Sequence, residues 1–143
     1  MYLCRMARDK FHYEVKAALQ DEGWAITDDP LVVKNGNIAV QIDMGAERLI
    51  GAEKGAEKIA VEIKTFGLVS FITAFYEAIG KYIVYRKALR MAKSERALYL
   101  AIPADIHEKH FSEGLIKGVC EEEQIKTIVY DQQSKVINQW IEK

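Results

Sequence analysis

The sequence has little cysteine and little proline, no long apolar run and no excess of either charge. Its only cysteines, Cys4 and Cys120, fit neither a disulfide framework nor a metal-site spacing, so we expect a protein of the reducing cytoplasm. No apolar stretch is long enough to cross a membrane, and the first residues lack the apolar segment of a signal peptide. The formal net charge of -1 excludes a surface that is basic throughout, so DNA binding would need a local patch.

What the chain does contain is enough apolar material for a packed core. Half of its residues are hydrophobic, and 143 residues suit one compact domain better than two. We therefore predict a single domain over residues 1–143. Because Met6 is a second possible start, residues 1–5 are predicted to be a disordered or non-native extension.

Apolar residues recur with a helical period in some segments and with period two in others. The predicted helices are Lys10–Glu22, Val69–Lys93 and one or two within Ala104–Glu122. The predicted strands are Leu31–Lys34, Ile38–Met44, Ile59–Lys64, Arg96–Ile102, Lys126–Asp131 and Lys135–Ile141. Ala46–Glu53 fits either a strand or a helical turn, and Lys54-Gly55 is typical of a loop. This order predicts an α/β fold with a mixed sheet (α+β) and helices on both faces.

An acidic residue and a Glu-x-Lys tripeptide stand at the ends of two predicted strands. Asp43 follows Ile38-Ala39-Val40-Gln41-Ile42, and Glu62-Ile63-Lys64 follows Ile59-Ala60-Val61. Side chains alternate along a strand, so Glu62 and Lys64 share one face. Two carboxylates and a lysine that meet at strand ends can hold a divalent cation and a water beside a phosphate. That arrangement is typical of phosphodiester hydrolysis.

Each of these residues has a predicted role. Asp43 and Glu62 are predicted to bind Mg²⁺ or Mn²⁺ through one carboxylate oxygen each, and the backbone carbonyl of Ile63 is a third ligand. Lys64 would orient or deprotonate the attacking water, or offset charge on the phosphate. Glu14, on the first helix, is either a further catalytic carboxylate or an ordinary solvent-facing residue. A solvated strand face would also fit the Glu-x-Lys tripeptide.

Basic residues are concentrated on the second predicted helix and just beyond it. Residues 81–96 include six basic residues and one acidic residue. Arg86, Arg90 and Lys93 are spaced to share a helical face, and together with Lys81 they are predicted to contact DNA phosphates. A solvated helix end would carry the same residues. Because Arg86 continues an apolar stripe, we expect it to pair with the site carboxylates or with a bound phosphate.

Four longer stretches carry a specific resemblance to a known family. They are Ala7-Arg8-Asp9-Lys10-Phe11-His12, Gln41-Ile42-Asp43-Met44-Gly45-Ala46-Glu47, Ala60-Val61-Glu62-Ile63-Lys64-Thr65-Phe66 and Ala78-Ile79-Gly80-Lys81-Tyr82. From Met6 onward the chain resembles the XisH family of cyanobacterial element excision controlling factors. The order of Asp43, Glu62-Ile63-Lys64 and a long helix also resembles the PD-(D/E)XK nuclease superfamily, although Ile42 stands where that superfamily usually has proline.

The resemblance implies a restriction-endonuclease-like core of helix, three strands, helix and strand. It implies that Asp43, Glu62 and Lys64 form the nuclease site, with Glu14 as the acid of the first helix. It further implies a role in programmed excision of a DNA element during heterocyst differentiation, with a companion protein, XisI, and a site-specific recombinase as partners.

The leading expectation is a Mg²⁺-dependent DNA endonuclease, with a homodimer as one possible assembly. One alternative is a catalytically silent regulatory or scaffold protein that acts through the companion. A second alternative is a toxin-like nuclease that the companion holds inactive.

Overall fold

The computed structural model describes residues 11–51, 55–67 and 70–142. Five of the predictions fall wholly or partly outside these ranges: the extension at residues 1–5, the helix starts at Lys10 and Val69, Ala52 and Glu53 of the ambiguous segment, and Lys54 of the predicted loop. Within the described ranges, no helix is long and apolar enough to cross a membrane.

Helices and strands alternate irregularly along the described part of the chain. The helices are α1 (His12–Asp21), α2 (Phe71–Met91), α3 (Ala104–His110) and α4 (Gly114–Glu122). The strands are β1 (Ala25–Asp28), β2 (Leu31–Asn35), β3 (Ile38–Ile42), β4 (Met44–Gly51), β5 (Gly55–Ile63), β6 (Ala97–Pro103), β7 (Thr127–Asp131) and β8 (Val136–Ile141). All three predicted helical segments are confirmed, the last of them as the two helices α3 and α4.

Six of the strands form one mixed sheet in the order β1-β4-β5-β6-β7-β8. The central strands β5, β6 and β7 are parallel, and the outer pairs are antiparallel. β2 and β3 form a separate antiparallel hairpin, and its turn at Gly36 has a φ of +61° that suits glycine. α2 provides the crossover that the parallel pair β5–β6 requires. The mixed sheet predicted from the sequence is therefore confirmed.

Two apolar clusters cover the two faces of this sheet. On one face, Leu100 and Ile102 of β6 pack with the hairpin and with α2, α3 and α4. On the other face, Val61 of β5 packs with Val15 and Leu19 of α1. Helices thus lie on both faces, as the sequence predicts, and β6 is buried between them.

The single predicted strand Ile38–Met44 is wrong, because the chain leaves the hairpin for the main sheet at Asp43. β3 ends at Ile42 and β4 begins at Met44. Residues two apart in one strand would share a face, but Ile42 packs in the cluster with α2 and Met44 in the cluster with α1. Asp43 therefore lies at a crossing between two sheets.

Three further differences concern strands with weak sequence signals. The ambiguous segment Ala46–Glu53 is a strand as far as Gly51. Gly55, predicted to be in a loop, begins β5 opposite Gly51. β1 was not predicted, because it is short, lies at the sheet edge and alternates only between exposed and half-buried positions.

Candidate functional site

Asp43 and Glu62 are held side by side by two reciprocal hydrogen bonds. The backbone N–H of Asp43 donates to Glu62 Oε1 at 3.2 Å, and the backbone N–H of Ile63 donates to Asp43 Oδ2 at 2.8 Å. β4 begins at Met44, opposite Val61, so Ile63 extends beyond the β4–β5 ladder, although it still pairs with Ala101 of β6 on its other side. The Ile63 N–H donates to the Asp43 carboxylate instead of to a carbonyl of a neighbouring strand. The crossing at Asp43 thus positions the acidic pair.

Burial raises the pKa of both carboxyl groups. Glu62 is 8% exposed, and desolvation, followed by the nearby charge of Asp43, raises its pKa to about 8. Desolvation also raises the pKa of Asp43, although the hydrogen bond from Ile63 and the charges of His12 and Lys81 oppose the shift. At neutral pH, Glu62 therefore retains its proton unless a further positive charge lies beside the pair.

The oxygen atoms around the pair suit a hard cation that keeps several waters. The N–H and C=O of one strand residue point the same way, so the Ile63 carbonyl lies on the side where its N–H meets Asp43. With the two carboxylates it would supply three oxygen ligands, which fits Mg²⁺ or Mn²⁺. Within the described residues, no group of three or more His, Cys, Asp or Glu side chains could hold a metal ion. Waters or substrate oxygens would therefore have to complete the coordination.

Lys64 is engaged by a carboxylate of α2. Its Nζ donates to Glu77 Oε1 at 2.6 Å, and Lys81 Nζ lies 4.0 Å from the same oxygen. The hydrogen bond and charge of Lys64 lower the pKa of Glu77. The backbone N–H of Lys64 donates to Ala101 O at 3.0 Å and fixes the main chain. Glu77 thus determines where the Lys64 ammonium lies.

Glu14 and His12 both lie on α1, which covers the face of the sheet opposite α2. Glu14 is half-buried and forms no hydrogen bond or ion pair with another described residue, and its catalytic role stays a prediction. His12 is 2% exposed, its Nε2 lies 2.8 Å from Asp29 Oδ1, and its charge lowers the pKa of Asp43. Of the two α1 side chains, His12 is thus the one whose charge affects the pKa of the acidic pair.

The basic residues predicted to contact DNA do not share one helical face. α2 ends at Met91, and Lys93 follows it with a φ of +57°. Arg86 Nη1 donates to Glu123 O at 2.6 Å, and its Nη2 lies 3.6 Å from Glu123 Oε1. The predicted pairing of Arg86 with the site carboxylates is therefore wrong, because the residue that caps α4 takes that place.

The same basic residues lie at two different ends of the sheet. Arg86 and Arg90 line a cavity of about 490 Å³ at the amino end of β6, whereas Glu62 lies at the carboxyl end of β5. Lys81 is near the acidic pair, since its charge lowers the pKa of both carboxyl groups. Lys81 is thus the predicted DNA contact that the structure brings to the site.

Sequence reasoning missed His12, Glu77 and Tyr85. Glu77 is the only acidic residue of α2. A single carboxylate on the helix that follows a Glu-x-Lys strand is a signal that could have predicted a partner for the lysine. His12 is spaced with Val15 and Leu19 on one helical face, which predicts a buried histidine that needs a partner. Tyr85 has no such signal. Burial, then the charges of Glu62 and Asp43, raise its pKa to about 12, so its phenol remains a hydrogen-bond donor.

The fold and the site together define a mixed α/β protein with a buried acidic pair at the carboxyl end of a central strand. The chain belongs to the XisH family, since a sequence model of the XisH protein family matches residues 5–138.

Two crystal structures are similar to this chain over almost its whole length. An XisH family protein from Nostoc punctiforme PCC 73102 is 42% identical, with a TM-score of 0.84 over 93% of this chain and 99% of that one. An FdxN element excision controlling factor protein from Anabaena variabilis is 43% identical, with a TM-score of 0.85 over 94% of this chain and 99% of that one. Among curated proteins, none matches the chain.

Proposed function

We propose that this protein is an element excision controlling factor that hydrolyses DNA phosphodiester bonds with Mg²⁺ or Mn²⁺ at Asp43 and Glu62. The observation that carries the nuclease proposal is the reciprocal hydrogen bonding that fixes the buried carboxylate of Glu62 beside the half-buried carboxylate of Asp43. The role in excision rests on family membership and on the relative from Anabaena variabilis. The chain order of Asp43, Glu62-Ile63-Lys64 and α2 supports a core of the PD-(D/E)XK type.

Each residue has the role that its position allows. The Asp43 and Glu62 carboxylates and the Ile63 carbonyl would hold the cation, which supplies Lewis-acid stabilisation of phosphate charge and a more acidic bound water. Lys64, held by Glu77 at 2.6 Å, would orient the attacking water or offset charge on the phosphate.

Metal binding is tested without DNA by calorimetric titration of Mn²⁺ at pH 7 and at pH 8.5. Asp43→Asn and Glu62→Gln keep the size of the side chain and one oxygen that can accept the backbone N–H, so we expect folded proteins with at least about tenfold lower affinity. The affinity of the unaltered protein should be higher at pH 8.5, because Glu62 must lose its proton to bind the metal. Glu57→Gln, which alters a β5 residue paired with Arg48 at 2.9 Å, is the matched control. Equal affinity in all four proteins would contradict the proposed metal site.

Catalysis is tested on plasmid, single-stranded and branched DNA with Mg²⁺ or Mn²⁺, each with and without XisI. Lys64→Ala should reduce the cleavage rate by about 100-fold or more, the effect of losing one group that stabilises transition-state charge. Lys58→Ala, which removes a lysine of β5 that ion-pairs with Glu95, should leave the rate unchanged. Failure of the unaltered protein to cleave any substrate would contradict the nuclease proposal while leaving the role in excision to be tested separately.

One observation favours a second candidate, a silent nuclease-fold scaffold that acts through XisI or the recombinase. Glu77 already neutralises the ammonium of Lys64 at 2.6 Å, so that ammonium is not free for catalysis in this arrangement. A scaffold of this kind would bind XisI in the absence of DNA. The Lys64→Ala variant would bind XisI as tightly as the unaltered protein does. Pull-down with purified XisI distinguishes the two functions.

A further inference from the structure

α2 has a second apolar face that the rest of the described chain does not cover. Five of its large apolar side chains are between 36% and 67% exposed: Ile72, Tyr76, Ile83, Val84 and Met91. A surface helix normally places polar residues on its outer side. A group of exposed apolar side chains on one helix can mark an interaction surface.

These side chains lie on one side of the helix. At about 100° per residue, all five project within about 80° of the direction of Gly80, as do the exposed polar residues Thr73, Glu77, Lys87 and Arg90. Ala78, Tyr82 and Leu89 project to the opposite side and are buried in the core. We call the outward side the α2 stripe, formed by Ile72, Tyr76, Gly80, Ile83, Val84, Lys87 and Met91.

Gly80, at the middle of the stripe, is not explained by anything in the protomer. Glycine destabilises a helix interior relative to alanine. A Cβ atom built at Gly80 would have no neighbour within 4 Å, and its φ is not in the left-handed region. Small residues at such a position allow a second helix to approach the backbone closely. The glycine is therefore useful only when the stripe is covered.

We propose that the α2 stripe packs against the α2 stripe of a second copy of this chain, antiparallel and about a two-fold axis. In this register, Ile83 of the second copy fits over Gly80, Lys87 lies along the Tyr76 ring, and Met91 packs on Ile72. The i, i+4 rows of both helices then meet as ridges in grooves. A two-fold interface must be self-complementary in this way.

The charges along α2 favour the antiparallel orientation. The amino-terminal half of the helix carries Glu77 beside the stripe, and the carboxyl-terminal half carries Lys87 within it. Antiparallel packing brings Glu77 of one copy towards Lys87 of the other, whereas parallel packing brings like charges together. Two crossed helices of this length bury on the order of 1,000 Å² in total, which is at the low end for a specific complex. We therefore expect a dimer with a dissociation constant in the micromolar range.

Sedimentation equilibrium of the full chain from about 1 to 200 µM tests the assembly. Ile83→Glu should weaken dimerisation by about tenfold or more, since it places a charge at the centre of the contact. Leu115→Glu is the matched control, because Leu115 is an apolar residue of α4 that is 72% exposed and lies outside the stripe. It should leave the dissociation constant unchanged.

Gly80→Ala separates docking from helix stability, because the two effects have opposite signs. It should raise the midpoint of thermal unfolding of the dilute monomer, since alanine favours the helix. It should also weaken dimerisation by about tenfold, because the added Cβ occupies the groove for Ile83. A general structural defect could not produce this combination.

Disulfide formation between cysteine variants tests the orientation, with Cys4 and Cys120 replaced by serine. A mixture of Ile72→Cys and Met91→Cys proteins should form cross-linked heterodimers, whereas Ile72→Cys alone should not form homodimers. A protein that is monomeric at 200 µM, or that cross-links through Ile72→Cys alone, would overturn the proposal. Because neither measurement involves DNA or metal, these results are independent of the nuclease proposal.

Discussion

At the residue scale, the acidic pair places the buried carboxyl group of Glu62 beside the half-buried carboxyl group of Asp43, so full ionisation of both would bring two like charges together. Asp43 and Glu62 each accept a backbone N–H from the segment that carries the other, so neither can move away without losing a hydrogen bond. Proton binding relieves the repulsion in the absence of other positive charge, and a cation would relieve it by attraction. The pair is therefore sensitive to both pH and divalent metal.

Glu62→Gln should change how stability depends on pH. The pKa of Glu62 is about 8 in the folded protein and near 4.5 in the unfolded chain, so between these values the folded state holds the extra proton. Stability from this group is therefore highest at low pH and falls as pH rises from about 4.5 to 8. As pH rises through this window, we expect the free energy of unfolding of the unaltered protein to fall by roughly 2–4 kcal/mol relative to that of Glu62→Gln.

Urea unfolding without metal at several pH values between 4.5 and 8.5 measures this effect. Glu57→Gln serves as control, since Glu57 is a partly exposed residue on the same strand. Curves of stability against pH that stay parallel for Glu62→Gln and the unaltered protein would show that the buried carboxyl does not titrate as described.

At the element scale, Arg96 forms hydrogen bonds with three strands of the sheet: β1, β4 and β5. Its Nη1 donates to Ala46 O at 3.2 Å and to Ile59 O at 2.9 Å, and its Nη2 donates to Asp28 Oδ1 at 3.1 Å. A Cβ at Gly45 would lie 3.0 Å from Nη1, so the absence of a side chain there lets the guanidinium approach. One basic residue thus holds β1, β4 and β5 in register.

Arg96→Ala should lower the free energy of unfolding by about 2–4 kcal/mol, because it leaves buried carbonyls and Asp28 without their donor. Arg96→Lys should restore less than half of this loss, since an ammonium cannot reproduce the fork of the guanidinium. Arg90→Ala, at an exposed position, should change stability by no more than about 0.5 kcal/mol. Guanidinium chloride unfolding followed by tryptophan fluorescence checks the series, and equal losses for Arg96→Ala and Arg90→Ala would refute the role given to Arg96.

At the scale of the whole molecule, charge restricts how DNA can be held. The formal net charge is -1, and Arg86 is engaged by Glu123. Lys81, Arg90 and Lys93 are exposed and remain for phosphate contacts. A dimer along α2 would carry two acidic pairs, one for each strand of a duplex.

DNA affinity should therefore depend only moderately on salt. Three phosphate contacts predict a slope of about −3 in a plot of log affinity against log salt concentration. Lys81→Gln, Arg90→Gln and Lys93→Gln should each reduce its magnitude by about one, whereas Arg86→Gln should leave it unchanged. Fluorescence anisotropy with a labelled duplex measures the slope. A slope near −8, or an Arg86→Gln effect as large as that of Lys81→Gln, would contradict this account.

The sequence was sufficient where a single local period carried the information. The apolar spacing of α2 and the alternation at Ile59–Lys64 depend on neighbouring residues, and each predicted its element. It failed at Ile38–Met44, because a continuous apolar run does not reveal that Ile42 and Met44 pack on opposite faces of the sheet. It failed also for Arg86, whose periodicity indicated burial but could not identify Glu123 as the partner.

By itself, the sequence determined the mixed α/β class, the helices and most of the strands, because these follow from short-range periodicity. Only the tertiary structure decided that Asp43 lies at a crossing between two sheets, that Glu77 holds Lys64 and that His12 acts on Asp43. Those relations join residues 13 to 31 positions apart. They depend on which faces of the elements pack together, and no local pattern in the chain specifies that.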